Sequence, residues 1–184
     1  MNRIAIEASG NDYGLEPIAR GAIEGYKNNP ALCLTLVAGK EELQRYKQNH
    51  SFPKYLGCKE TEETFLMTDS FEKDKIKLKK SSIYEALRLL GEGEVDAVIA
   101  PGNTGGTVAA SHILLKKISR RMRPGIAVHI PDKHILIDAG AQTDPKPLHL
   151  LYWAIMANMY SETYLGTKNP EIGLISIGSE PGKG

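Results

Sequence analysis

Short apolar runs, separated by glycine-rich polar turns and by stretches with helical spacing, set the pattern of this chain. Strands are predicted at Ile4–Ala8, Leu32–Ala38, Asp96–Ala100, Ile126–Ile130, His134–Asp138 and Ile172–Ile177. Helices are predicted at Pro17–Lys27, Glu41–Gln48, Ile83–Leu90, Val108–Ile118 and Leu148–Tyr164. Ile83, Leu87 and Leu90 fall at i, i+4 and i+7, one face of a helix. The stretch Ser82 to Glu85 matches a capping box at its start. The strand runs are continuous rather than alternating, as expected where both faces of a sheet are covered. Strands alternating with helices imply right-handed crossovers and a mostly parallel sheet. The expectation is an α/β three-layer sandwich forming a single domain over residues 1–184.

Three segments break the rhythm. Residues 50–75 carry scattered Gly, Pro and charge and read as a peripheral excursion. Lys75 to Lys79 alternates with period two, which predicts an exposed strand whose lysines discourage edge pairing. Residues 172–184 read as a strand and a glycine loop with no helix after them. The expectation there is that the chain is the N-terminal portion of a longer fold, or that another chain covers the sheet.

Composition narrows the class. At 184 residues, 41% hydrophobic and 24% charged, the chain has the make-up of an ordinary globular domain. Lys+Arg 23 against Asp+Glu 22 gives no bulk charge to attract a nucleic acid. Cys33 and Cys58 alone exclude a disulfide scaffold and fit a reducing cytoplasm, with Cys33 expected to be a small buried apolar residue. The N-terminus has no signal-peptide core, and Leu148–Tyr160 is too short to span a bilayer. That segment is apolar nearly all round, so it is expected in the core and partly at a homodimer interface. His50, His112 and His149 read as surface or helix-face residues, and no histidine or cysteine spacing suits a structural metal. The basic run Lys116 to Arg123 suits a solvated helix end; alternatively it docks an acidic protein or an anionic membrane surface.

The candidate chemistry lies at strand ends. Val98, Ile99 and Ala100 stop at Pro101, turn-forming residues follow, and an apolar segment begins at Thr107. A glycine turn opening a helix presents unpaired N–H groups to an anion, typically a phosphate. Four such loops fall after predicted strands: Glu7 to Asp12, Pro101 to Gly106, Asp138 to Lys146 and Gly178 to Lys183. Each alone is an ordinary turn; four at one sheet edge suggest an oxyanion site. They supply amides and hydroxyls from Ser9, Asn11, Asn103, Thr104, Gln142 and Ser179, and cations from Lys146 and Lys183. Glu7, Asp12, Asp138 and Asp144 would suit a divalent ion, although plain hydrogen bonding is the simpler role. The nucleotide motifs G-x-G-x-x-G and G-x-x-x-x-G-K-[ST] do not occur, so no nicotinamide or ATP cofactor is indicated.

The order of these segments resembles the bacterial phosphate acyltransferases of phospholipid synthesis, the PlsX family. The matching pieces include Ile4 to Asp12, Ser81-Ser82, Gly93 to Ala97, Gly102 to Gly105, Arg123-Pro124, Leu136 to Ala141, Asp144 to Pro147, Ala154 to Met156 and Ile177 to Gly184. The family reads Asp-Ala-Met-Gly-Gly-Asp where this chain has Glu7-Ala-Ser-Gly-Asn-Asp12. Asn11 is expected to replace a glycine by tolerating positive φ. The family also has Asn at Gln142, Cys at Pro145 and Glu at Pro181. The resemblance implies a Rossmann-like sheet of the isocitrate dehydrogenase or phosphotransacetylase kind. It also implies transfer of a fatty acyl group from acyl carrier protein (ACP) to inorganic phosphate, without a cofactor.

On that basis Asn103, Lys146, Asp138 and Lys183 are the candidate catalytic residues. Gly10, Asn11, Asp12, Gly102, Thr104, Gly105, Gly106, Asp144 and Ser179 are the candidate phosphate-binding residues. Asn103, Thr104 and the Gly105/Gly106 backbone would contact phosphate or the oxyanion. Lys146 and Lys183 would neutralise charge, and Asp138 and Asp144 would position a lysine or a loop. Phosphate is already anionic, so the step needs no strong general base, in keeping with a sequence that shows no Ser/His/Asp or Cys/His arrangement. A short-chain phosphotransacylase acting on CoA or enzyme-bound thioesters, and a non-catalytic homologue that binds ACP or a partner subunit, are the alternatives.

Overall fold

The computed structural model describes residues 2–119, 121–176 and 178. It divides into two compact units, Met1–Lys117 and Ile118–Gly184.

The first unit runs β1 (Asn2–Glu7), α1 (Leu15–Asn28), β2 (Leu32–Gly39), α2 (Lys40–Asn49), β3 (Gly57–Thr61), α3 (Lys75–Lys79), α4 (Ser82–Gly91), β4 (Ala97–Ile99) and α5 (Thr104–Leu114). Its four strands form one parallel sheet in the order β3-β2-β1-β4. The two-residue period of the strands sorts the core into layers. Ile6, Ala8, Leu34, Leu36 and Ala38 pack with Leu15, Ala19, Ala22 and Leu43 on one face. Ala5 and Val37 pack with Ala86, Leu89 and Val95 on the other. A further cluster of Phe65, Leu78, Ile83, Leu87 and Ala110 joins α3, α4 and α5. The α/β sandwich expected from the sequence is therefore present, with a mostly parallel Rossmann-like sheet.

Several local expectations change. Residues 50–75 are more than an excursion, because Gly57–Thr61 adds an edge strand beside β2. Its residues are exposed up to Thr61, so it lacks an apolar signal. Lys75–Lys79 forms a helical turn and not a strand. Backbone bonds from Asp74 to Ser70 (2.9 Å) and from Leu78 to Asp74 (2.9 Å) wind it, and Leu78 alone is buried. The α4 cap is Ser81, whose hydroxyl accepts from the Tyr84 amide, so Ser82 is already the first helical residue. β4 is an edge strand whose Ile99 is exposed, so the continuous apolar run there does not mean cover on both faces. Cys33 is exposed rather than buried.

In the second unit, β5 (Ala127–Ile130) and β6 (His134–Ile137) pair antiparallel. Three residues connect them, far too few for the crossover a parallel pair needs, and Asp132 and Lys133 take positive φ to close the turn. Helix α6 (Pro147–Tyr160) continues into a π-helical turn, Ser161–Leu165. The helix buries His149 and Trp153. The Trp153 indole donates to the Arg123 carbonyl at 2.9 Å, and its ring packs closely on Gly125, where a Cβ would stand 3.0 Å from it. Leu148, Leu151, Ile155 and Met159 are exposed, so α6 is less buried than its composition suggested, and His149, read as a surface or helix-face residue, lies on the buried face of the helix. Residues 172–176 do not form the predicted strand, for no described strand pairs with them; Ile177 lies outside the described residues. Among the described residues no helix is long and apolar enough to cross a membrane.

Candidate functional site

The sheet order places a topological switch point at the carboxyl ends of β1 and β4. From β1 the chain moves outward to β2 and β3, then returns to add β4 on the opposite side. In open α/β sheets, ligands bind in the crevice at such a reversal. The turns after these two strands, 8–14 and 100–103, overlap the first two of the four loops singled out in the sequence, Glu7 to Asp12 and Pro101 to Gly106.

The two turns touch. A Cβ on Gly102 would stand 3.4 Å from the Gly10 carbonyl carbon, and one on Gly10 would stand 2.4 Å from the Phe65 carbonyl oxygen. Gly10 also has φ +75°, a conformation open to glycine at little cost. Asn11 does not use positive φ as a glycine substitute. Its side-chain oxygen accepts from the Tyr13 amide at 2.9 Å and closes the turn as an Asx motif. Asp12 is exposed on the same turn.

Helix α5 starts at Thr104, four residues before the predicted start, because Asn103 caps it. The Asn103 side-chain oxygen accepts from the Gly106 amide at 2.8 Å. Its amide nitrogen donates to the carbonyls of Leu66 (2.8 Å), Asp69 (2.9 Å) and Met67 (3.3 Å). Asn103 is thus buried with both ends of its side chain engaged inside the protein. Gly102 and Gly106 are buried too, while Thr104 and Gly105 are exposed at the first turn of the helix. Their backbone N–H groups are among those a helix leaves without internal partners, and they lie at the positive end of its dipole. A ligand at this turn meets main-chain donors rather than the Asn103 side chain.

Beneath the two turns lies Glu7, which the sequence grouped with Asp12, Asp138 and Asp144 as carboxylates that would suit a divalent ion and not with the phosphate-binding residues. It is 1% exposed. One carboxyl oxygen accepts from the Ser82 hydroxyl at 2.8 Å, whereas the other, Oε2, has no hydrogen-bond partner. The Ser9 and Gly102 amides lie close enough to favour the ionised form without completing a bond to Oε2. Burial outweighs them and pushes the Glu7 carboxyl from 4.5 up to about 7, with the Glu42 charge adding to the rise. Glu42 itself is held by the Ser9 hydroxyl at 2.6 Å and the Leu15 amide at 2.8 Å. The clue in the sequence was an acidic residue ending an otherwise apolar strand.

This burial has a consequence for stability. The folded chain keeps a proton on Glu7 at pH values where the unfolded chain has released it. The resulting stabilisation is complete below pH 4.5 and is lost as pH rises through about 7. Glu7→Gln is expected to remove about 2 kcal/mol of the difference in unfolding free energy between pH 5 and pH 8. Urea unfolding followed by circular dichroism at the two pH values tests this, and an unchanged difference would refute it.

The remaining predicted residues lie in the second unit or outside the described residues. Asp138 closes its own loop, accepting from the amides of Ile126 (2.9 Å), Ala141 (3.0 Å) and Gln142 (2.8 Å). Asp144 and Lys146 are exposed on the approach to α6, with the Lys146 amide donating to the His149 ring at 3.2 Å. Ser179 and Lys183 lie outside the described residues. An open concavity of about 590 Å³ lined by Glu63, Glu72, Lys77 and Lys80 includes none of the predicted site residues. Among the described residues no group of three or more His, Cys, Asp and Glu could hold a metal ion.

Comparison with known proteins matches the chain over residues 2–184 to the family described as fatty acid synthesis protein. A phosphate acyltransferase of Desulfitobacterium hafniense is 35% identical over 187 residues, covering 100% of this chain and 56% of the relative. A phosphate acyltransferase of Thermosipho africanus is 38% identical over 188 residues, covering 100% of this chain and 55% of the relative. One from Bacillus cytotoxicus is 33% identical over 186 residues, covering 99% and 56%. The chain spans about half the length of these curated relatives. With its α/β fold and glycine turns in the family's order, the chain belongs to the fatty acid synthesis protein family.

Proposed function

We propose that this chain carries the phosphate-binding part of an acyltransferase that moves a fatty acyl group from acyl-ACP to inorganic phosphate. The observation that carries this reading is the exposed N-terminus of α5, set against the Gly10 turn at the sheet's switch point. Phosphate held there on the Thr104 and Gly105 amides would attack the thioester carbonyl. The tetrahedral oxyanion would then collapse, breaking the C–S bond; the proton of the attacking hydrogen phosphate passes to the thiolate, so ACP leaves as its thiol and acyl phosphate is the second product. By the family resemblance alone, Lys146 and Lys183 are assigned to neutralising charge in the reaction, and Asp144 and Ser179 to phosphate binding. Asp138 and Asn103 would act by holding their loops. The relatives' name, phosphate acyltransferase, supports the reaction class.

The reading extends to context. Residues 1–184 would form the N-terminal portion of the longer family fold, working as a cytoplasmic homodimer. The basic segment that includes Lys116, Lys117, Arg121 and Arg123 would steer acidic ACP, or an anionic membrane surface in peripheral contact.

The test is phosphate-dependent release of thiol from palmitoyl-ACP and from acetyl-CoA. The expected result is release from palmitoyl-ACP only, saturating with phosphate, and a rate about a hundredfold lower in Lys146→Ala. Release from acetyl-CoA instead would replace the reading with a short-chain phosphotransacylase. Release from neither, by a folded chain that binds phosphate, would replace it with a binding module.

A further inference from the structure

Glu7 stands under the anion turn with half of its carboxyl unanswered. Its Oε2 lacks a partner, and a Cβ on Gly102 would come within 2.8 Å of that oxygen. The orphaned oxygen therefore lies directly below the peptide that leads into the α5 N-terminus. α4 contributes the Ser82 hydroxyl, which is already bound to the other oxygen. Among the charges on the surrounding elements, Glu42 of α2 is the one that acts on Glu7, and it is negative. None of the ion pairs among the described residues includes Glu7. An ionised Glu7 thus has no cation to offset it, and an oxyanion on the Thr104 and Gly105 amides would add a further negative charge nearby.

We propose that anion loading at the Gly102–Gly106 turn is coupled to protonation of Glu7, so that the turn takes its oxyanion together with a proton held on the buried carboxyl. This rests on the reading of that turn as the phosphate site and adds its regulation. The proton comes from solvent and goes to Oε2, the oxygen without a partner. Glu7 touches no ligand, since it is buried; it is a positioning residue that acts through the Gly102 peptide. Burial already pushes its carboxyl up to about 7, so the coupling operates at neutral pH. By linkage, a carboxyl that gains affinity for its proton when the anion binds must weaken anion binding when that proton is lost.

The test uses the 184-residue chain with inorganic phosphate and, separately, sulfate, which does not titrate near neutral pH. Calorimetry at pH 7 in buffers of different ionisation enthalpy counts the protons taken up per anion. The wild type is expected to take up about half a proton more than Glu7→Gln with either anion. Sulfate affinity should fall about fivefold between pH 6 and pH 8 in the wild type and stay level in the variant. On wild-type protein the Glu7 carboxyl carbon, followed by NMR, should titrate about one pH unit higher with anion bound. This last measurement decides the matter if the variant does not fold. Anion binding with equal uptake in both proteins, or with an unmoved Glu7 titration, overturns the coupling and leaves the phosphate site standing. Failure of the folded wild type to bind either anion overturns both.

Discussion

Gly10→Ala is expected to lower the stability of the first unit by about 4 kcal/mol, the sum of a strained left-handed residue and a backbone clash. The new Cβ would stand 2.4 Å from the Phe65 carbonyl oxygen, closer than any real Cβ contact, and main-chain atoms must move to relieve it. Gly14→Ala is the matched control. Its φ of +72° is nearly the same, but the nearest atom is the Glu42 Oε1 at 3.4 Å, an ordinary contact. The control should lose about 1 kcal/mol, the strain alone. Chemical unfolding of the two variants, followed by circular dichroism, separates clash from strain. Equal losses would mean that the packing of the β1 turn on the Phe65 segment contributes nothing.

Asn103→Asp should be as damaging as Asn103→Ala, at about 3 kcal/mol, although aspartate is a good helix cap. The structure gives Asn103 two roles on opposite ends of one side chain. Its oxygen caps α5, and its amide nitrogen ties down the carbonyls of Leu66, Met67 and Asp69. Aspartate keeps the first role and reverses the second, setting a carboxylate oxygen against carbonyl oxygens. Hydrogen exchange at the Gly106 amide, and at the Leu66 and Asp69 amides as a second group, reads the two roles separately. In Asn103→Asp the first group should stay protected and the second should exchange faster. A variant as stable as wild type, with both groups protected, would show that the ties to 66–69 are dispensable.

What the sequence showed and what it hid divide along physical lines. β1, β2, α1, α2 and α4 were legible because each buries an apolar face with a regular period. β3 was not, since an edge strand of Gly57, Cys58, Lys59 and Glu60 buries almost nothing. Lys75–Lys79 misled because period-two alternation over five residues does not distinguish a strand from a turn anchored by Leu78 alone. The antiparallel pairing of β5 and β6 was readable in principle from their three-residue spacing, which the apolar runs on either side obscured. At the site, the glycine turns were legible as turns. The commitment of Asn103 to the protein interior was hidden, because its partners lie 34 to 37 residues away in sequence. Glu7 was hidden for the same reason, with Ser82 bound 75 residues along the chain.

The pairing of β1 with β4 bears on the order in which this protein assembles. The Arg3 amide bonds the Asp96 carboxylate at 2.9 Å, a partner 93 positions further along the chain. Contacts between such distant segments close large loops, and folding reaches them late when nearer contacts are available. Helices α1, α2 and α4 and the β1–β2 pair all arise from shorter separations. The two glycine turns meet only once β4 has docked beside β1. Anion affinity therefore belongs to the completed unit, and partly assembled forms lacking that strand have no two-turn cleft with which to take an oxyanion out of solution.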